Sequence, residues 1–263
     1  MPHTPPIRIR YGKNSTAYLS LSKPHTLVIF VHGFAGEAQG TWDDFPRLIR
    51  TQNDFDECDV VFYGYESLKG QANNNALRFY RDLTALLEKH PNRLGYARND
   101  VEIDFEYENV LIIGHSLGAI IIRRALLCAK TDDKSWLDRC RMVLFAPAHR
   151  GARIQNLVMQ CMPILGKVAV SLGLLTIPVL DDLKPDSVTI TSLLADSNMY
   201  LASGTGDFTK AHNVLWAERE IVVHNQPFCQ DENATLVERK GHTKVCKPSE
   251  DYLLPYQVVV NAL

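Results

Sequence analysis

Continuous apolar runs alternate with amphipathic stretches along most of the chain. Unalternated runs are typical of strands buried on both faces of a parallel sheet. Strands are predicted at residues 7–10, 17–21, 26–31, 59–63, 110–113, 142–145, 213–217 and 235–238. Helices are predicted at residues 42–50 (with Thr41 as N-cap), 75–90, 119–130 and 251–261, with a surface loop at 91–104. Strand–helix–strand order at this spacing implies right-handed crossovers and a mainly parallel central sheet covered by helices.

The regular order changes between residues 152 and 211. Apolar helical segments at 157–175 and 189–201 follow one another here, and no strand is predicted between them. Because ligands bind beyond the carboxyl ends of strands in open α/β sheets, we expect this stretch to form a helical cap or lid before the last two strands. No linker separates two units, so residues 1–263 are predicted to form a single α/β domain.

The most apolar part of this insert, residues 161–180, approaches the length of a bilayer-spanning helix. Lys167 near its middle would cost a few kcal/mol in a membrane, and prolines and glycines interrupt it. We interpret the segment as a cover over a pocket. Peripheral contact of the apolar insert with a membrane surface is the alternative interpretation.

Composition narrows the function classes. The 263 residues carry a formal net charge of −2 and no basic block, so a nucleic-acid partner is not expected. The six cysteines are scattered, and the N-terminus lacks the profile of a secretory signal. We therefore expect reduced thiols in a cytoplasmic protein. Composition does not indicate the oligomeric state.

The pentapeptide GHSLG at residues 114–118 is the strongest chemical signal. It follows a β-branched apolar run and precedes a helix-like stretch without Pro or Gly. A sharp strand-to-helix turn at G-x-S-x-G exposes the serine hydroxyl above the sheet. Small residues at 114 and 118 allow strand and helix to approach closely. This context favours Ser116 as a nucleophile over a solvated turn hydroxyl.

A serine nucleophile needs a base, and hydrolases built on this turn carry their triad in the order Ser, acid, His. Among nine histidines, His242 alone follows the last predicted strand. Glu220 precedes it by 22 positions and is the preferred acid, while Asp231 and Glu218 remain open as alternatives.

Two backbone N–H groups are expected to bind the oxyanion of a tetrahedral intermediate. Leu117 follows the nucleophile, and Phe34 lies in the glycine-containing loop after the early buried strand. His115 is excluded as the base, because a side chain next to the serine at such a turn points in another direction. His149 is excluded because it precedes every candidate acid in the chain. Both histidines are predicted to bind substrate.

Other chemistries lack their motifs. The sequence contains no phosphate-binding GxxxxGK[ST], no GxGxxG after the first strand, and no His/Cys spacing typical of zinc. We predict no cofactor and no metal.

Several motifs together resemble one family. They are FVHGFAG at 30–36, the Thr-Trp pair at 41–42, FYGY at 62–65, VLIIGHSL at 110–117, LFAPAHRG at 144–151 and GHTKVCKP at 241–248. In these motifs the chain resembles lipase-like α/β-hydrolases, the group of GPI inositol-deacylases and serine-active-site-containing proteins. The resemblance implies the α/β-hydrolase fold, Ser116 as nucleophile, His242 as base, and Glu220 where the group often has Asp.

The chain departs from this group in three places. Ala119 replaces a second glycine after the turn, the turn at 146–151 has one extra residue, and Glu220 is one methylene longer than Asp.

The sequence thus predicts a serine hydrolase that cleaves a carboxylic ester, with a small-molecule or lipid (acyl) ester as its substrate. The alternatives are a thioesterase or amidase, and a catalytically silent α/β-hydrolase scaffold used for binding or signalling.

Overall fold

Eight strands pair into one sheet within the described residues, which in this computed structural model are 5–11, 14–88, 106–171, 176–231 and 234–263. The strands are β1 (Ile7–Tyr11), β2 (Ser15–Leu19), β3 (Thr26–Val31), β4 (Cys58–Tyr63), β5 (Asn109–His115), β6 (Cys140–Phe145), β7 (Asn213–Ala217) and β8 (Ala234–Val237). Their order across the sheet is β1-β2-β4-β3-β5-β6-β7-β8. β2 pairs antiparallel with β1 and β4, and all other neighbours are parallel. The predicted, mainly parallel sheet is confirmed.

Eight α-helices lie in the same described ranges. They are α1 (Phe45–Thr51), α2 (Ala72–Glu88), α3 (Leu117–Thr131), α4 (Ile154–Cys161), α5 (Ile164–Ser171), α6 (Pro178–Asp182), α7 (Val188–Ala202) and α8 (Leu254–Val260). Every residue of β3 and β4 is buried, as expected for central strands covered on both faces. The first three residues of the outermost strand β8 are exposed. The unalternated apolar runs of β3 and β4 thus correctly predicted central strands of the sheet.

Several predicted bounds and one predicted helix cap differ from the structure. The helix predicted at 42–50 is divided into a 3-10 turn (Gly40–Trp42) and α1, because Asp43 between them adopts a positive φ of 50°. Thr41 therefore does not cap a helix, and its hydroxyl accepts a hydrogen bond from the N–H of Glu37. The strand predicted at 17–21 lies two residues earlier, as β2.

The insert between β6 and β7 is helical, but its first predicted segment is not continuous. α4 ends at Cys161 and α5 begins at Ile164, because Met162 adopts an extended backbone conformation before Pro163. The predicted surface loop at 91–104 and residues 172–175 of this segment lie outside the described residues. Within the described part of the chain, no helix has the length and apolar character needed to cross a membrane. The division into one domain with a cap at 152–211 stays a prediction.

Glycines allow β5 and α3 to pack closely at the turn between them. A Cβ atom on Gly118 would lie 2.2 Å from the carbonyl oxygen of Val31 in β3. A Cβ atom on Gly114 would lie 2.6 Å from Cδ1 of Ile122 in α3. Since the first clash is with backbone, no side-chain rotation could relieve it. The sheet and the start of α3 are therefore held in close contact.

We predict that Gly118→Ala lowers the free energy of unfolding by about 1–3 kcal/mol, although alanine favours helix by about 1 kcal/mol. Urea denaturation of both proteins measures the difference. Gly70→Ala is the matched control, because the atoms nearest to its added Cβ would belong to the Asn75 side chain, at an ordinary 3.4 Å or more. Equal stabilities of the two variants would contradict the packing argument.

Candidate active site

Ser116 stands at a strained turn between β5 and α3. Its backbone has φ 54° and ψ −117°, a combination that costs energy for a residue with a side chain. Two hydrogen bonds hold the turn: the Ser116 N–H donates to the Phe145 carbonyl, and the Ser116 carbonyl accepts from the Ala148 N–H. Neighbouring β6 and the loop after it thus fix the serine. The strained strand-to-helix turn is the one that the sequence pattern predicts. The predicted exposure of the hydroxyl differs from the structure, in which Ser116 is buried.

Three side chains form a hydrogen-bonded chain at this turn. His242 Nε2 lies 3.0 Å from Ser116 Oγ, and His242 Nδ1 lies 2.9 Å from Glu220 Oε2. The three side chains come from the turn after β5, the loop after β7 and the loop after β8, all at the carboxyl ends of parallel strands. His242 is fully buried and the Glu220 side chain is 2% exposed. Such an arrangement can move a proton from the hydroxyl to the imidazole.

Glu220 is held as a carboxylate. Burial acts to raise its pKa, but the hydrogen bond and charge of His242 and the N–H groups of Val222 and Val223 lower the pKa below its usual value. Both N–H groups donate to Oε1, at 2.7 and 3.1 Å, and leave Oε2 for His242. The extra methylene of glutamate relative to aspartate is thus accommodated without loss of the contact to the imidazole.

The two alternative acids have other partners. Asp231 forms a two-pronged ion pair with Arg123 at 2.6 and 2.7 Å, and the side chains are 4% and 1% exposed. Arg123 also stacks over the Phe228 ring at 4.3 Å. Glu218 accepts a hydrogen bond from the Arg239 N–H. Of the three acids, Glu220 is the one that contacts His242.

The two expected oxyanion donors lie close to Ser116. Leu117 begins α3 directly after the serine, and Phe34 follows Gly33, whose added Cβ would lie 2.9 Å from the Ser116 Cβ. Neither the Phe34 N–H nor the Leu117 N–H has an acceptor among the hydrogen bonds of the described residues. Both donors are therefore available to a negatively charged oxygen at the serine.

His115 is hydrogen-bonded to the loop that carries His242. Its Nε2–H donates to the His242 carbonyl at 2.9 Å. Burial, together with the nearby His242, lowers the pKa of His115 to about 3, so the ring is neutral. His115 also lines a cavity next to the serine. A position that contacts both the cavity and the loop of His242 is compatible with its predicted substrate-binding role, which stays a prediction.

His149 lies in a different environment. Its ring packs 4.9 Å from Phe228 and 5.6 Å from Trp216, and its Nε2 is 3.1 Å from the Gln226 carbonyl. Burial lowers its pKa well below the usual value. His149 is not among the described residues that line the cavity at the serine. Its predicted substrate-binding role stays a prediction.

The cavity beside Ser116 has a volume of about 320 Å³. The loop at 33–37, His115, Cys161 at the end of α4, and Lys247 form its wall. The sequence analysis did not single out Cys161 or Lys247 as site residues. Lys247 belongs to the GHTKVCKP motif at 241–248, five positions after His242, and this is the signal that could have indicated it. Across the described residues, no group of three His, Cys, Asp or Glu could hold a metal ion.

Comparison with known proteins gives the family and the fold. A sequence model described as the alpha/beta hydrolase family matches residues 28–238, well over half of the chain. No curated protein matches the sequence closely enough to count as a relative. The resemblance to GPI inositol-deacylases therefore stays a prediction.

Solved structures with the same fold include three hydrolases. The siderophore hydrolase EstB of Aspergillus fumigatus has a TM-score of 0.56 at 13% identity, covering 99% of this chain and 96% of that one. Carboxylesterase CesB of Bacillus subtilis has a TM-score of 0.52 at 14% identity, with coverages of 98% and 91%. At these identities the likeness shows the fold alone.

The third hydrolase is the lipase BlEst2 of Bacillus licheniformis. Its mature form has a TM-score of 0.55 at 13% identity, covering 98% of this chain and 99% of that one. Its propeptide form has a TM-score of 0.59 at 14% identity, covering 95% of this chain and 54% of that one. This chain thus spans about half the length of the propeptide form. The predicted α/β-hydrolase fold is confirmed.

We predict that Asp231→Asn lowers the free energy of unfolding by about 3–5 kcal/mol, because the Arg123 guanidinium would stay buried without its counter-charge. Chemical denaturation measures this loss. Asp196→Asn is the control: Asp196 pairs with Arg124 at 2.6 Å, but its side chain is 45% exposed, so the cost should be about 1 kcal/mol or less. A small effect at Asp231 would show that the buried ion pair is not structural.

Proposed function

The chain belongs to the alpha/beta hydrolase family, and we propose that it is a serine hydrolase that cleaves carboxylic esters. The observation that carries the proposal is the hydrogen-bonded chain from Ser116 through His242 to Glu220, at 3.0 and 2.9 Å. In this proposal Ser116 is the nucleophile, His242 the base and Glu220 the residue that orients the imidazole. Phe34 and Leu117 supply the oxyanion donors.

The first half of the reaction makes an acyl-enzyme. Ser116 Oγ attacks the ester carbonyl carbon while His242 Nε2 takes its proton, and the carbonyl oxygen becomes an oxyanion. Each backbone N–H that binds this oxyanion is worth about 3 kcal/mol of transition-state stabilisation. His242 then gives the proton to the alcohol oxygen as the carbon–oxygen bond breaks. The Glu220 carboxylate stabilises the imidazolium that exists between these two transfers.

The second half repeats these steps with water. His242 removes a proton from a water molecule, whose oxygen attacks the acyl carbon, and then returns the proton to Ser116 as the acid leaves. Ser116 is 1% exposed. Substrate access therefore requires movement of the side chains between the serine and the neighbouring cavity.

We propose a lipid or other acyl ester as the substrate class. Support comes from the insert, where Met159, Ile164 and Val168 of α4 and α5 are 60%, 76% and 49% exposed. α4 also contributes Cys161 to the cavity wall. An apolar surface next to the site would suit an acyl chain, and peripheral contact with a membrane surface through the same residues belongs to this proposal.

We predict that Ser116→Ala reduces turnover of 4-nitrophenyl esters, from acetate to decanoate, by about 10⁶-fold to the background rate. Release of 4-nitrophenol measures the turnover, and the series gives the preferred acyl length. Ser171→Ala serves as the control, since this exposed hydroxyl donates to a carbonyl of its own helix. Undiminished turnover in Ser116→Ala would overturn the proposal.

We predict that Glu220→Gln lowers kcat by about 10³–10⁴-fold, because a neutral amide neither stabilises the imidazolium nor holds the required tautomer. Glu218→Gln, two residues away on the same loop, should leave kcat unchanged. Steady-state kinetics of the two variants compare them directly. The opposite ranking would assign the acid to Glu218.

A further inference from the structure

The cavity beside Ser116 contains a charged group that the proposed mechanism does not use. Lys247 contributes to its wall and is half-buried. Its Nζ donates to the Gly40 carbonyl at 3.2 Å. Within the described residues, no carboxylate lies at ion-pair distance from this ammonium group. An ammonium has three N–H donors, so two of them are available to another acceptor.

Lys247 is the single positive charge among the described residues that line this cavity. His115, the other basic residue of the wall, is neutral because burial lowers its pKa to about 3. Glu37 supplies a negative charge close to Lys247: a Cβ atom on Gly40, whose carbonyl binds Lys247, would lie 2.9 Å from the Glu37 Oε2. An anionic group in the cavity is therefore attracted by the Lys247 ammonium and repelled by the neighbouring Glu37 carboxylate.

The cavity is also placed to receive part of an ester bound at Ser116. Phe34, the proposed oxyanion donor, belongs to its wall. Gly33, next to it, approaches the serine so closely that an added Cβ would lie 2.9 Å from the Ser116 Cβ. Ser116 itself is not among the described residues that line the cavity, so the link between them is the Gly33–Phe34 segment, where an acyl group with its carbonyl oxygen on the Phe34 N–H would begin.

We propose that the cavity is a subsite for a carboxylate on the acyl group, bound by the Lys247 ammonium, and that the preferred substrates are monoesters of dicarboxylic acids. This inference rests on the proposed ester hydrolysis and narrows its substrate class. The ammonium donates charge-assisted hydrogen bonds to the carboxylate, which are stronger than those between neutral groups. Glu37 opposes the binding, so its charge lowers the preference for anionic substrates.

The test compares pairs of substrates that differ by one group. Mono-4-nitrophenyl adipate and 4-nitrophenyl hexanoate have the same acyl length, and the adipate ester ends in a carboxylate where the hexanoate ester ends in a methyl group. The corresponding suberate and octanoate esters form a second, longer pair. The ratio of kcat/KM for the anionic over the neutral ester is the readout. We expect Lys247→Met to lower this ratio by about tenfold or more, Lys247→Arg to retain it, and Glu37→Gln to raise it.

Lys244→Met is the matched control, because Lys244 is an exposed lysine three positions earlier that does not line the cavity. Its ratio should equal that of the wild type. Equal ratios in wild type and Lys247→Met, for both substrate pairs, would overturn the subsite. Turnover of the neutral esters reports separately on the proposed hydrolysis.

Binding gives a readout that does not depend on turnover. Isothermal titration of adipate into Ser116→Ala should show binding, and Ser116→Ala/Lys247→Met should abolish it. If the wild type hydrolyses none of the esters, the proposed function fails while this titration still decides the subsite. Absence of adipate binding to Ser116→Ala, or binding that survives loss of Lys247, would refute it.

Discussion

The close contact between β5, the start of α3 and β3 is the constraint on which the site depends. Ser116 can keep its unfavourable backbone angles because Gly118 lies against the Val31 carbonyl and β6 binds the turn from the other side. Strain of this kind persists only where surrounding packing compensates for it. The same contact brings Gly33 to the serine, so the loop with Phe34 and the nucleophile are positioned together. One packing requirement thus fixes the positions of both the nucleophile and a neighbouring N–H donor.

Two buried carboxylates at this end of the sheet have different surroundings. Asp231 is neutralised by Arg123, a side chain of α3, and ties the helix after the serine to the loop after β7. Among the described residues no lysine or arginine pairs with Glu220; two N–H groups and the imidazole of His242 stabilise its charge. A carboxylate with a permanent counter-charge suits a structural role. A carboxylate whose partner is a titratable ring suits proton transfer, and this distinction supports Glu220 over Asp231 as the acid.

Local patterns predicted the central fold well, because apolar runs such as 26–31 report directly on burial. Chain order predicted Ser116, Glu220 and His242 as one group, and their side chains are in hydrogen-bond contact, while their roles stay predictions. Local patterns could not predict features that depend on residues far apart in the chain. The pairing of Asp231 with Arg123, 108 positions away, and the packing of His149 against Phe228 follow from tertiary structure. The positive φ of Asp43 divided a helix whose apolar pattern was continuous. Lys247 lies in the quoted motif at 241–248, but its place in a cavity wall depends on the fold.

The central claim is that Ser116 is an activated nucleophile in the folded protein. Treatment with a fluorophosphonate, followed by digestion and mass spectrometry of the peptides, tests this most directly, because the reagent bonds covalently to a serine that an adjacent base activates. The account predicts one phosphonylated residue, Ser116, and loss of the modification in His242→Ala. A folded protein that remains unmodified, or is modified at another residue, would contradict it.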